Sequence, residues 1–281
     1  ADLSQKRRIC DRGRFAETTG KPRKEDDKVT QQNNQLSTPY SPQMISNPST
    51  TKPKKILFIR HGVALHNLPD PTTNLPPDLT SPTLFDPPLC RGGYNHAVQT
   101  GNRIRKKYPL RNDNADRNDG NDSQQHMILS SPLTRCIQTT LAAFPSSPIL
   151  VHDDLREAYG MHYPDKRRGV SELRSFFPRD VHFDESVTEV DEGWREDERE
   201  TVRDVATRVE RFLKWVAIGE AANGKNLVVV VSHGVWIEVC LELFCPRVLD
   251  GGRRVYNCDV FEGRLKMEEG KVILENMRLF A

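Results

Sequence analysis

Two short apolar runs end in the same way. Ile56-Leu57-Phe58-Ile59 runs into Arg60-His61-Gly62, and Val228-Val229-Val230-Val231 runs into Ser232-His233-Gly234. Four consecutive apolar residues closed by a Gly turn are too short for a buried helix and read as strands covered on both faces. Such strands belong to a mostly parallel sheet with helices on either side. In open sheets of this kind ligands bind at the carboxyl ends of the strands. Both histidines are therefore expected at that edge. An arginine beside one histidine, with a second histidine from another strand, suits a phosphate ester and one imidazole as nucleophile.

The remaining periodicity supports the same architecture. Lys54–Ile59 opens the folded part as a strand. Residues 68–88 hold seven prolines and are expected to be irregular. Tyr94, Ala97, Val98, Ile104 and Tyr108 form one stripe of a helix over 93–108. Residues 111–125 form a polar Asn/Asp insertion, a surface loop. Met127–Leu129 is a strand, and Ser131-Pro132 reads as N-cap and first residue of a helix lined by Leu133, Cys136, Ile137, Thr140, Leu141 and Phe144. Ile149–Val151 is a strand. A short helix is expected over 171–177, within an otherwise irregular charged stretch. Val202, Val205, Val209, Phe212, Leu213 and Val216 mark a helix over 200–218. A helix over 235–244 starts at the second His-Gly turn, and 256–260 and 272–279 read as final strands. The fold class is a three-layer α/β/α sandwich.

Charge is divided unevenly. Residues 1–55 carry 12 Lys and Arg against 6 Asp and Glu, and the rest carries a net charge of −4, so the total of +2 hides a basic tail on a mildly acidic body. Residues 1–54 are poor in large apolar side chains, so they are expected to be disordered, with the folded domain over 55–281. The tail reads as solvated and without a partner rather than as an arm for an acidic surface. No apolar stretch approaches the ~20 residues of a membrane span, and no signal-peptide core is visible. The six cysteines include no CxxC pair. Reduced thiols are the better reading, with Cys258 on a strand. The expected location is cytoplasmic, with organelle import left open. Asn121-Asp122-Ser123 is a formal sequon in the polar loop.

Four segments then fall into order: Arg60-His61-Gly62 with Asn67, Ser131-Pro132-Leu133-Thr134-Arg135, Leu155-Arg156-Glu157, and Ser232-His233-Gly234. Together they resemble the histidine phosphatase superfamily, in its phosphoglycerate mutase-like branch, over about residues 55 to 280. Asp165-Lys166-Arg167-Arg168, Ser171-Glu172-Leu173-Arg174, Phe177-Pro178 and Asn257-Cys258-Asp259 narrow the resemblance to the fungal and plant phosphoglycerate mutase-like group. The family often has Leu-Thr-x-x-Gly before its first helix. Here the segment is Leu89-Cys90-Arg91-Gly92-Gly93, which weakens a helix cap.

Phosphoryl transfer needs an in-line nucleophile, cations on the equatorial oxygens and an acid for the leaving group. His61 fits the nucleophile, as a neutral imidazole with one nitrogen tied to a carbonyl such as that of Gly62. Arg60 and Arg135 are planar forks for phosphate, although Arg135 by position alone also fits a surface arginine. Asn67 offers an amide donor. His233, at a helix start, fits an imidazolium that stabilises the transferring group. The resemblance places the acid at Glu157, whose alternative role is a salt bridge to Arg156. His66 is a second candidate acid. The resemblance also places His162, Tyr163, Arg167 and Arg168 in the segment that shapes the substrate pocket. No histidine pair has metal-ligand spacing, so neither metal nor cofactor is expected.

The activity implied is hydrolysis of a small phosphorylated metabolite, without nucleic-acid or membrane partners and with the oligomeric state open. Val63 stands where mutases usually carry an acid, which favours hydrolysis over the first alternative, a phosphoglycerate mutase using the same residues. The second alternative is a non-catalytic phosphate-binding or interaction protein.

Overall fold

The structure is a computed structural model. It describes residues 50–110, 125–177, 180–219, 222, 224–249 and 251–280. The expectations for residues 1–49, and for the polar insertion and sequon over 111–124, lie outside the described residues.

Among the described residues, seven strands form one sheet in the order β4-β3-β2-β5-β1-β6-β7. They are β1 (Lys54–Arg60), β2 (His126–Ser130), β3 (Ile149–Val151), β4 (Val181–Phe183), β5 (Leu227–Ser232), β6 (Val260–Glu268) and β7 (Lys271–Leu279). β1, β5, β2, β3 and β4 pair in parallel, and β6 and β7 add an antiparallel edge. The register sets Ile59 opposite Val231 and Arg60 opposite Ser232, so both His-Gly turns leave the sheet at one edge. Thr50 already bridges Glu268, so the chain joins the sheet before β1 begins.

Helices cover both faces. α1 (Arg91–Lys107), α2 (Thr134–Ala143) and α3 (Val170–Phe176) pack on the face carrying Leu57, Ile59, Ile128, Val229 and Val231. α4 (Val202–Ile218) and α5 (Gly234–Phe244) pack on the face carrying Ile56, Phe58, Leu129, Val228 and Val230. Adjacent residues of β1 and β5 thus point into two different cores, which is why these strands are apolar without alternation.

Four local expectations are corrected. β4 appears over Val181–Phe183, where no strand was legible. The strand expected over 256–260 begins only at Val260, because Tyr256–Asp259 closes a turn in which Cys258 has φ 62. Cys258 is therefore on a turn. Helix α2 begins at Thr134, and its N-cap residue, Leu133, has no side chain able to cap it. The cap comes from Asp86, in the proline-rich excursion, whose carboxylate accepts from the Thr134 amide (2.8 Å) and hydroxyl (2.6 Å).

Candidate active site

His61 leaves β1 with its backbone held on three sides. Its amide donates to the Ser232 carbonyl (3.0 Å), its carbonyl accepts from Asn257 Nδ2 (2.9 Å), and the next amide, of Gly62, donates to Thr139 Oγ1 (3.0 Å). The turn also lies against the first turn of α1. A Cβ on Gly93 would sit 2.0 Å from the Val63 carbonyl oxygen, so only glycine allows that approach. Cys90 caps this helix through Sγ, which accepts from the Gly93 amide (3.3 Å).

The His61 ring is 2% exposed. Nδ1 lies 2.7 Å from the Gly62 carbonyl oxygen, which can only accept, so Nδ1 carries the proton. Nε2 keeps its lone pair and receives Arg135 Nε–H at 3.3 Å. Burial first, then the Arg135 and Arg60 cations, hold His61 well below the ordinary histidine range.

Arg135 stands between the two histidines. Its Nη2 donates to His233 Nδ1 (3.2 Å) and to Asp165 Oδ1 (2.9 Å), and its Nη1 to the Pro164 carbonyl (2.5 Å). At 1% exposure it is not the surface arginine that its position also allowed. His233 lies 5.1 Å from the His61 ring, centroid to centroid, and its Nε2 is 2.8 Å from Ser131 Oγ. Ser131 thus serves the site rather than acting as the N-cap of α2. The imidazolium expected at His233 belongs to the phosphoryl-transfer step, and in the ligand-free protein the ring is held neutral. Burial and Arg135 hold it well below the ordinary range, and Nδ1 accepts from that arginine.

Arg60 donates through Nη1 to the Val255 carbonyl (2.6 Å), while its buried Nε has no partner among the described residues. Asn67 Oδ1 accepts from the Ala64 amide (3.0 Å), and Nδ2 lies 3.0 Å from His66 Nε2. The Asn67 amide is thereby engaged with its own turn. His66 lies 5.9 Å from His61, centroid to centroid, and burial, Arg135 and Arg60 push it down to about 2.

Glu157 does not pair with Arg156, which instead holds Asp191 through two 2.7 Å bonds. Its Oε1 accepts from the Ala158 amide (3.0 Å) and its Oε2 from the Val235 amide (3.3 Å), at the start of α5. Burial, and after it the nearby Asp165 charge, push its carboxyl up. A raised carboxyl beside two arginines is poised to hold and release a proton.

The four substrate-facing candidates divide. His162 and Tyr163 are half-buried. His162 Nδ1 is 3.8 Å from Asp165, and the Tyr163 hydroxyl donates to Glu196 (3.1 Å). Arg167 is corrected: it is buried, donates to Thr188 and Val190, and pairs with Asp153 at 2.8 Å. Arg168 is corrected too, since it pairs with the fully buried Asp86 and with Glu172. Both arginines staple the segment in place.

Asp165 was legible only as part of a motif, and no role for it was visible. It holds Arg135, receives Arg199 Nη1 at 3.2 Å, and its charge reaches Glu157. Asn257, which fixes the His61 carbonyl, is a second such residue.

A model of the histidine phosphatase superfamily (branch 1) matches residues 56–278. Phosphoglycerate mutase-like protein 1 of Arabidopsis thaliana is 25% identical over 211 residues, covering 64% of this chain and 68% of that protein. A second Arabidopsis thaliana protein, named phosphoglycerate mutase-like protein, is 24% identical over 221 residues, covering 68% and 74%. Among solved structures, phosphoglycerate mutase from Bacillus anthracis str. Sterne superposes with a TM-score of 0.49 at 15% identity, covering 80% of this chain and 92% of that one.

Proposed function

The chain belongs to branch 1 of the histidine phosphatase superfamily, and from that premise we propose that it is a phosphomonoesterase acting on a small phosphorylated substrate through a phosphohistidine at His61. One observation carries this reading above the others. The Gly62 carbonyl fixes the His61 proton on Nδ1, so that the Nε2 lone pair is left free and faces Arg135. An imidazole held in that tautomer, neutral and kept so by burial, is a nucleophile ready for in-line attack.

In the first step the Nε2 lone pair attacks phosphorus and the ester oxygen departs. Arg60 and Arg135 take up charge on the equatorial oxygens, which requires Arg135 to give up its bond to Nε2. Once Arg135 moves its Nη2 from His233 Nδ1 to the phosphoryl oxygens, that nitrogen takes a proton from solvent, because the anion offsets the burial and arginine charge that otherwise keep His233 neutral. Glu157 gives its proton to the leaving alkoxide. It then takes one from the water that attacks the phosphohistidine, which frees inorganic phosphate and restores His61. The arginines supply the cationic charge, and the reading needs neither metal nor cofactor.

His61→Ala is expected to abolish turnover of p-nitrophenyl phosphate while the circular dichroism spectrum stays that of the wild type. Brief exposure of the wild type to labelled substrate should leave acid-labile, base-stable label at His61. Near-normal turnover by the folded variant defeats the proposal. Return of the label to an organic acceptor rather than to water points to a mutase.

A further inference from the structure

Resting on that phosphoryl-transfer reading, we propose that His66 is a further catalytic residue, whose Nδ1–H donates a hydrogen bond to an equatorial oxygen of the phosphoryl group as it passes to His61. The Ala64 N–H can only donate, so the Asn67 atom it meets at 3.0 Å is the oxygen. Asn67 therefore turns its NH2 toward His66 Nε2, 3.0 Å away. An NH2 group also only donates, so Nε2 must be the accepting nitrogen. The proton of a neutral His66 is thus on Nδ1.

That Nδ1 is buried and has no partner among the described residues. Native proteins rarely leave a buried donor unmet, and each exception calls for an explanation. Here the surroundings supply one. The His66 ring lies 5.9 Å from the nucleophilic ring, and the other buried orphan donor of the site is Arg60 Nε. Each of the three Arg135 nitrogens, by contrast, already has a protein acceptor. In the ligand-free site the donors waiting for an anion are those of Arg60 and His66. A phosphoryl oxygen satisfies both, and a hydrogen bond to an anion is stronger than one between neutral groups.

The same geometry removes the alternative role of proton donor. An imidazolium at His66 would set an Nε2–H against the Asn67 NH2, so the cation cannot form without breaking the Asn67 turn. His66 holds its proton and shares it. Asn67 becomes a positioning residue that fixes the tautomer.

The test uses orthovanadate and p-nitrophenyl phosphate with the full chain. In asparagine, Nδ2 is bonded to Cγ as Nδ1 is in histidine, so His66→Asn keeps a donor at the critical place and His66→Phe removes it. His66→Phe is expected to weaken vanadate inhibition and slow single-turnover phosphorylation by about 10- to 100-fold, with His66→Asn within about threefold of the wild type. A packing role predicts comparable losses in both variants. Folded His66→Phe with wild-type vanadate affinity, or folded His66→Asn as impaired as His66→Phe, overturns the inference. Independently of any variant, 15N NMR of the wild type should find Nδ1 protonated and shifted by vanadate. An Nε2–H tautomer in the free protein overturns the inference by itself. A wild type that takes no label on His61 and ignores vanadate overturns the underlying reading as well, so the two failures are distinct.

Discussion

The site is built of side chains that set one another's protonation. Gly62 fixes the proton of His61, burial and then Arg135 keep both His61 and His233 neutral, and Asp165 holds Arg135 while adding to the burial that raises Glu157. Glu157 is where this chain of effects becomes measurable. Replacing it by Gln keeps the shape and an oxygen for one backbone donor but removes the transferable proton. As the proposed acid, it should matter most when the leaving group is a poor one. Single-turnover phosphorylation by alkyl phosphates is expected to fall about 10²–10⁴-fold in Glu157→Gln, while p-nitrophenyl phosphate loses far less in the same step. Equal losses on both substrates would remove the acid role from Glu157. The pH profile should move in the same sense. In the proposed mechanism phosphorylation of alkyl substrates needs Glu157 protonated, so it should decline as pH rises through a value above the ordinary carboxyl range, and Glu157→Gln should lose that decline.

At the level of elements, α2 depends on a residue that precedes it by 48 positions. Asp86 is fully buried, caps Thr134, and pairs with Arg168. Asp86→Ala removes a helix cap and strands a partly buried arginine, at an expected cost of about 2–4 kcal/mol in urea unfolding. Asp86→Asn keeps an oxygen for the Thr134 amide and should cost less than half as much. Because α2 carries Arg135, both variants should also weaken vanadate binding, in the same order. Equal stability of Asp86→Ala and wild type would show that the cap contributes nothing. This dependence also marks the limit of what the sequence discloses. The strands β1 and β5, the helices and the two His-Gly turns were legible because a buried face imposes a period, and the turns follow directly on the apolar runs. The cap on α2 was not, because Leu133 carries no signal and Asp86 sits in a proline-rich stretch without periodicity. Strand β4 has only three residues, too few to show a period. The resemblance puts Arg167 and Arg168 in the segment that shapes the substrate pocket, and only the fold places Asp153 and Asp86 against them.

For the molecule as a whole, the neutral histidines couple the site to global stability. His61, His66 and His233 come from two strand ends and a turn, and all three are held below the ordinary histidine value in the folded protein. In the unfolded chain they return to about 6.5. Below that pH the unfolded state binds protons that the folded state refuses. The stability they contribute is therefore fully present above about pH 7 and is lost as pH falls from about 6.5, at up to about 1.4 kcal/mol per pH unit for each histidine. Glu157 and Asp86 act with the opposite sign, since their folded carboxyls are raised and hold protons longer than in the unfolded chain. Their contribution is fully present below the unfolded carboxyl value of about 4 and lost as pH rises through the folded one, so it offsets part of the loss at the acid end of the window. Thermal melts from about pH 7 to pH 5 should thus show a steady fall in Tm. An oxyanion at the site should do more than raise Tm uniformly. By offsetting the arginine charge it lifts the folded histidine values, so with orthovanadate or phosphate present the dependence on pH should flatten. A Tm that stays level over this range without the anion, or a slope that the anion leaves unchanged, would mean that the three histidines are not held neutral by burial and arginine charge.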